Sequence, residues 1–159
     1  MNEGEGVEFL REAIRLAVES VQSGNGGPFG ALVVRDGTII GRGINRVTSD
    51  NDPTAHAEIE AIREACRTLG SFQLTECVIY CSSEPCPMCM AAIYWARPNQ
   101  VIYAADKHAA ALAGFDDEFI YEELAKPIEA RSIRMRQLRL EEAGQALAMW
   151  EELDDKIEY

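Results

Sequence analysis

The sequence predicts an α/β layered domain with a mixed five-stranded sheet, on three observations. One helical pattern precedes two strand-like runs; the dipeptide Asp36-Gly37, the strongest short hairpin signal available, joins those runs; and helix and strand patterns alternate from there on. With 159 residues the chain has enough material for one core and too little for two, so a single domain over residues 1–159 is expected. A hydrophobic content of 47% with 26% charged residues is ordinary for a globular protein.

Each element has its own signal. Val7, Leu10, Ile14, Ala17 and Val21 recur at spacings of three and four, which predicts a first helix burying that face, with Arg11, Glu12 and Glu19 outside. Gly24-Asn25-Gly26-Gly27-Pro28 ends it. Residues 31–34 are a short apolar run, expected as a strand buried on both faces, and Thr38-Ile39-Ile40 is its antiparallel partner, ending near Asn45. Asp52-Pro53 has the form of an N-cap followed by proline at the first helical position. A second helix is therefore expected from there to about Leu69, with Gly70 after it. Residues 77–81 form a third strand, a third helix starts near Pro87, and residues 101–105 form a fourth strand.

Beyond that the pattern thins. Residues 109–113 and 119–124 read as helical turns closed by Pro127. Residues 133–140 read as the fifth strand, with Arg134, Arg136 and Arg139 guarding an exposed edge. The alternation slips between Met135 and Leu138, which implies a bulge or a displaced boundary. A last helix carries Ala143, Ala146, Leu147, Trp150 and Leu153 on one side.

Two short stretches carry the chemistry: His56-Ala57-Glu58 and Pro85-Cys86-Pro87-Met88-Cys89. His56 and Glu58 fall in the first turns of the second helix, where two residues are roughly 200° of rotation apart, so they converge only near that helix's N-terminal end. Cys86 and Cys89 lie three apart on one face of the third helix's first turn. Helix starts carry partial positive charge, which favours thiolates. One imidazole and two thiols are the composition of a catalytic zinc site, three protein ligands leaving a fourth position for water. Glu58 is then left for proton transfer. The arrangement His-x-Glu followed by Pro-Cys-x-x-Cys is the signature of zinc-dependent nucleobase deaminases.

The same cysteines also fit a redox pair or half of a structural zinc site. A structural site needs a fourth ligand, for which Cys66, Cys77 and Cys81 are the candidates. Cys77 and Cys81 frame the run Val78-Ile79-Tyr80, and Cys66 shares an apolar helical stripe with Ile59, Ile62 and Leu69. All three read as small buried hydrophobes.

Composition narrows the partners. Five cysteines, an odd number, suit a compartment that keeps thiols reduced. The acidic start Met1-Asn2-Glu3-Gly4-Glu5 does not resemble a signal peptide, and no apolar run reaches the length of a membrane span. A cytoplasmic protein with no membrane partner is expected. A net charge of -12 opposes binding to phosphate backbones, so nucleic acid is disfavoured and a small nucleobase or nucleoside is favoured as substrate.

The sequence resembles the cytidine deaminase superfamily and, within it, the small bacterial guanine deaminases. The resemblance rests on Gly26-Gly27-Pro28-Phe29-Gly30, Asn51-Asp52-Pro53-Thr54-Ala55-His56-Ala57-Glu58, residues 84–98, Ala113-Gly114-Phe115-Asp116-Asp117 and the terminal Glu158-Tyr159. It implies a three-layer α/β/α fold, with Zn2+ held by His56, Cys86 and Cys89. The implied reaction is hydrolytic deamination of guanine to xanthine and ammonia in purine metabolism, with attack at C2 and with Glu58 and Asp117 as the catalytic pair. It further implies that Asn45 hydrogen-bonds the purine, that Phe29 and Trp95 wall the ring, and that Ala57 and Asp117 contact the substrate. An ionised carboxylate is acceptor-only and so suits a base presenting N–H donors, but Asp116 stands beside Asp117 and either could serve. Tyr159 is implied to reach a partner subunit's site, with residues 141–159 exchanged in a domain-swapped homodimer. Alternatives are a tRNA adenosine deaminase, a deaminase of cytosine or another small aminated heterocycle, and a zinc-binding scaffold without catalysis, against which the free Glu58 argues.

Overall fold

The computed structural model describes residues 3–158. The chain divides into two compact units, residues 1–118 and residues 119–159. The larger contains α1 (Glu3–Ser23), β1 (Gly30–Arg35), β2 (Thr38–Ile44), a single turn α2 (Val47–Asp50), α3 (Ala57–Leu69), β3 (Cys77–Ser83), α4 (Pro87–Ala96), β4 (Gln100–Ala105) and α5 (Lys107–Leu112). Its sheet has the order β2-β1-β3-β4, with β1 antiparallel to both neighbours and β4 parallel to β3. The expected mixed α/β fold is present, with four strands and not five.

The hairpin is the one that Asp36-Gly37 specifies. Arg35 pairs with Thr38, and the two residues between them have φ of 49° and 73°, the positive values a type I′ turn requires. β1 is buried on both faces. Leu32 and Val34 join Val78 and Tyr80 on the α1 side, while Ala31 and Val33 join Ile79, Cys77 and Cys81 on the α3 and α4 side. Period-two alternation thus splits the core into two layers around the sheet.

Close backbone approach sets how the helices lie. A Cβ on Gly43 would come within 1.9 Å of the Ala57 carbonyl oxygen, and one on Gly41 within 2.4 Å of the Ala61 oxygen. Ala57, Ala61 and Ala65, four apart on α3, are all essentially buried against these glycines. Glycines on β2 and alanines on α3 therefore seat the start of α3, with His56 before it, against the sheet.

The same logic corrects the first helix. Its inner line is Ala13, Ala17 and Ser20, flanked by Phe9, Leu10 and Leu16, whereas Val7, Ile14, Val18 and Val21 are 40–54% exposed. A Cβ on Gly30 would lie 2.3 Å from the Ala13 carbonyl oxygen, so only small residues fit between α1 and β1. Periodicity identified the helix and misassigned its face. The start of the second long helix also differs. The Asp52 carboxylate accepts from the Thr54 N–H at 2.8 Å and from its hydroxyl at 2.7 Å, closing a local turn, and the helix begins at Ala57 with His56 as its N-cap.

The smaller unit contains all but the first residue of α6 (Glu118–Ala125), then 3-10 turns at Ile128–Ala130 and Glu141–Gly144 and α7 (Gln145–Glu151). Glu123 ties its first part together, accepting from the Ser132 N–H at 2.6 Å, the Ser132 hydroxyl at 2.9 Å and the Lys126 ammonium. The ammonium is the main reason its carboxyl lies at about 2. Residues 133–140, expected as the fifth strand, join no ladder among the described residues. Ile133 and Met135 fall on one parity and Leu138 and Leu140 on the other, all 56–81% exposed, so no single face of the segment can be buried by pairing within one sheet. Among the described residues no helix is long and apolar enough to cross a membrane.

Candidate active site

His56 and Cys86 occupy equivalent places, each the N-cap of its helix with extended backbone (φ −76°, ψ 156° and φ −65°, ψ 168°). Neither side chain caps its own helix. The first-turn N–H groups of α3 and α4 therefore keep their positive potential, and both side chains remain available for other partners. Cys89 lies one turn into α4 and is fully buried.

The three converge. His56 Nδ1 lies 3.5 Å from Cys86 Sγ and 3.5 Å from Cys89 Sγ, and the three donor atoms all lie within 4.8 Å of one another. Zinc bond lengths of about 2.3 Å to sulfur and about 2.05 Å to nitrogen, in a tetrahedral arrangement, separate N from S by about 3.6 Å. The donor set therefore fits a zinc ion in both chemistry and spacing. Cys66, Cys77 and Cys81 do not join the cluster and lie in or against the apolar core. Burial raises all three thiols, which keeps them protonated and inert.

Within the cluster the three groups shift one another. The Cys86 thiol is lowered to about 4, chiefly because Cys89 hydrogen-bonds to it and His56 adds a second bond; Cys89 is raised as the donor of that pair. The same contact with Cys86 raises His56. Glu58, the second residue of α3, is only 8% exposed, and burial is the main cause that raises its carboxyl. It also meets the Cys89 thiol. A proton-accepting carboxylate thus sits beside the triad, largely shielded from water.

Around the triad the other expected residues fall into three groups. Asn45 is 7% exposed, and its Oδ1 accepts from the Gly27 N–H at 3.3 Å and the Val47 N–H at 3.2 Å. Two backbone donors on one oxygen fix the orientation of the amide, with its NH2 as the donor end. Phe29, on the stretch after Gly27, packs edge to face against Phe115, with centroids 4.9 Å apart at 84°. Ala57 is a core residue at 1% exposure, positioned by Gly43. Trp95 is 62% exposed at the far end of α4. Tyr159 lies outside the described residues.

The structure separates the two aspartates. Gly114 (φ +93°) and Phe115 close the end of α5 by donating to the carbonyls of Ala111 and Ala110, each at 3.0 Å. Asp116 accepts from the Glu118 N–H at 3.0 Å and so starts the next helix. Asp117 lies between these caps, half-buried, with its carboxyl raised mainly by burial and next by the charge of Cys86. Asp116 caps the next helix, while the Asp117 carboxyl feels the charge of Cys86. Phe115 was given no role of its own in the sequence, because an aromatic contact with a residue so distant in the chain leaves no local periodic trace.

Residues 5–105 match the model of the cytidine and deoxycytidylate deaminase zinc-binding region, and the chain belongs to that family. It is 55% identical to guanine deaminase of Bacillus subtilis (strain 168) over 151 residues, 95% of this chain and 97% of that protein. The X-ray structure of guanine deaminase from Bacillus subtilis superposes with a TM-score of 0.95 at 53% identity, covering 100% of this chain and 99% of that one. A tRNA-specific adenosine deaminase of Aquifex aeolicus (strain VF5) is 37% identical over 142 residues, 88% of this chain and 89% of the relative.

Proposed function

We propose that this protein is a zinc-dependent guanine deaminase, converting guanine and water to xanthine and ammonia as a step of purine metabolism in the cytoplasm. The observation that carries the reading is a buried glutamate beside a His-Cys-Cys triad of zinc-like spacing. The likeness to the Bacillus guanine deaminase along nearly the whole chain supports guanine as the base.

His56, Cys86 and Cys89 would hold the metal. Zinc bound there would supply a water whose pKa is lowered to about 7. Glu58 would take one proton of the attacking water and pass it to the ring nitrogen next to C2 as the C–O bond forms, then carry the remaining hydroxyl proton to the amine as the C–N bond breaks and ammonia leaves. The buried setting of Glu58 favours the protonated carboxyl and so assists uptake of the proton from water. Asn45 donates through Nδ2 to an acceptor of the purine, Phe29 flanks the ring, Ala57 lines the slot with its backbone, and Asp117 accepts from the base's N–H groups; Trp95, exposed at the far end of α4, would add to the wall only within the dimer. Ammonia release measured with guanine, adenine, cytosine, guanosine and a transfer RNA tests the reading. Guanine alone should be turned over at a substantial rate; turnover of the tRNA instead would replace it with the activity of the Aquifex relative.

Homodimer formation is part of the same proposal, with the chain acting as one deaminase domain whose residues 141–159 exchange between two copies. Three features support it. α4 has almost no polar residue yet leaves Tyr94 and Trp95 62–76% exposed, β4 ends the sheet with Tyr103 46% exposed, and Leu147, Met149, Trp150, Leu153 and Ile157 are 41–70% exposed. Apolar surface on this scale is buried by association. The exchange would bring Tyr159 to the partner's site. Removing residues 156–159 should cut guanine turnover about tenfold or more while zinc remains bound, as for loss of a substrate-closing contact. Unchanged kinetics in the truncated protein would exclude that role.

A further inference from the structure

Glu84 and Lys107 belong to none of the site residues, yet they link the metal-ligand stretch to the Asp117 loop. Glu84 stands at the end of β3, two residues before Cys86, and its N–H donates to the Ala105 carbonyl at 2.8 Å. Its carboxylate accepts from the Lys107 N–H at 3.0 Å, fixing the first residue of α5. The Lys107 ammonium then reaches forward to the Glu118 carboxylate at 2.6 Å. Glu118 follows Asp117 directly and is held at its own N–H by Asp116.

Between these anchors the chain turns at Gly114, with φ +93° and open space where a Cβ would sit, and Phe115 packs against Phe29. The ammonium bridge is a side-chain link that ties the far end of the loop back to the start of α5. The Lys107 side chain is 31% exposed and that of Glu118 54%, so the bridge lies at the surface.

We infer that Lys107 is a positioning residue for this reaction: its backbone is pinned by Glu84 beside the metal ligands, and its ammonium, through Glu118, sets where the Asp117 carboxylate stands over the substrate. The inference rests on Asp117 contacting the base. Lys107 acts through the loop and touches no reacting atom.

The test is steady-state kinetics on purified, zinc-loaded enzyme, with metal content and melting temperature followed in parallel. Lys107→Met and Glu118→Gln should each raise KM for guanine about fivefold with little change in kcat and zinc content, as for a misplaced binding group. Combining the two should cost no more than either alone, and the exchanged pair Lys107→Glu with Glu118→Lys should recover most of the loss. In an Asp117→Asn background, Lys107→Met should add nothing. If Asp117→Asn is impaired and neither bridge variant moves KM, the bridge is idle and the Asp117 role stands. If Asp117→Asn is as active as wild type, the Asp117 role falls and the bridge with it. Additive losses of Lys107→Met and Asp117→Asn would show Lys107 acting on its own and would also overturn the inference.

Discussion

Glu58→Gln should lose guanine turnover by about 10²–10⁴-fold while binding one zinc per chain, because positioned proton transfer commonly contributes that much. The substitution keeps the size and the hydrogen-bonding reach of the side chain and removes only its ability to take and return a proton. Its position explains why no neighbour substitutes for it. At 8% exposure, on the buried first turn of α3, Glu58 excludes bulk water that could otherwise ferry the proton. Ammonia release measured against zinc content separates the two roles: low turnover with full metal supports the assignment, and wild-type turnover rejects it. A scaffold that only holds metal would show no difference, since neither protein would release ammonia.

Cys86→Ala and Cys89→Ala should abolish both zinc binding and turnover, a larger effect than the 10- to 100-fold weakening typical of lost outer-shell partners. The two cysteines should differ in their sensitivity to pH. Cys86, lowered to about 4, stays thiolate across the neutral range, whereas Cys89 and the raised His56 must each give up a proton to bind metal. Protons compete with zinc at those two positions, so wild-type zinc affinity should fall as pH is lowered from 8 toward 6, with activity following. Zinc retained after dialysis at each pH measures it. Retention of stoichiometric metal by either alanine variant would remove that sulfur from the ligand set.

Much of the molecule was legible because the relevant forces are local. Asp36-Gly37 determines a hairpin by backbone geometry alone, and Pro87 after Cys86 marks a helix start because its missing N–H is unneeded there. The alternation that buries β1 on both faces is likewise visible in four consecutive residues. Where local signals competed with packing, packing won. Asp52-Pro53 has every mark of a helix start, yet Asp52 caps Thr54 and the helix waits for His56. Val7, Ile14 and Val21 have the spacing of a buried stripe, but the approach of Gly30 to Ala13 gives the inner face to alanines. Residues 133–140 have strand composition but pair with no strand among the described residues.

The identity of the chemistry was written in the sequence, since His56, Glu58, Cys86 and Cys89 are informative by type and spacing whatever surrounds them. Tertiary structure alone decided that two helix starts 30 residues apart bring one nitrogen to 3.5 Å from each of two sulfurs, and that Asp116 is used as a helix cap. Spacing along the chain constrains neighbours within a turn or a hairpin. Distances between elements depend on how closely backbones can approach, and that is settled by glycines and alanines on strands and helices far apart in sequence.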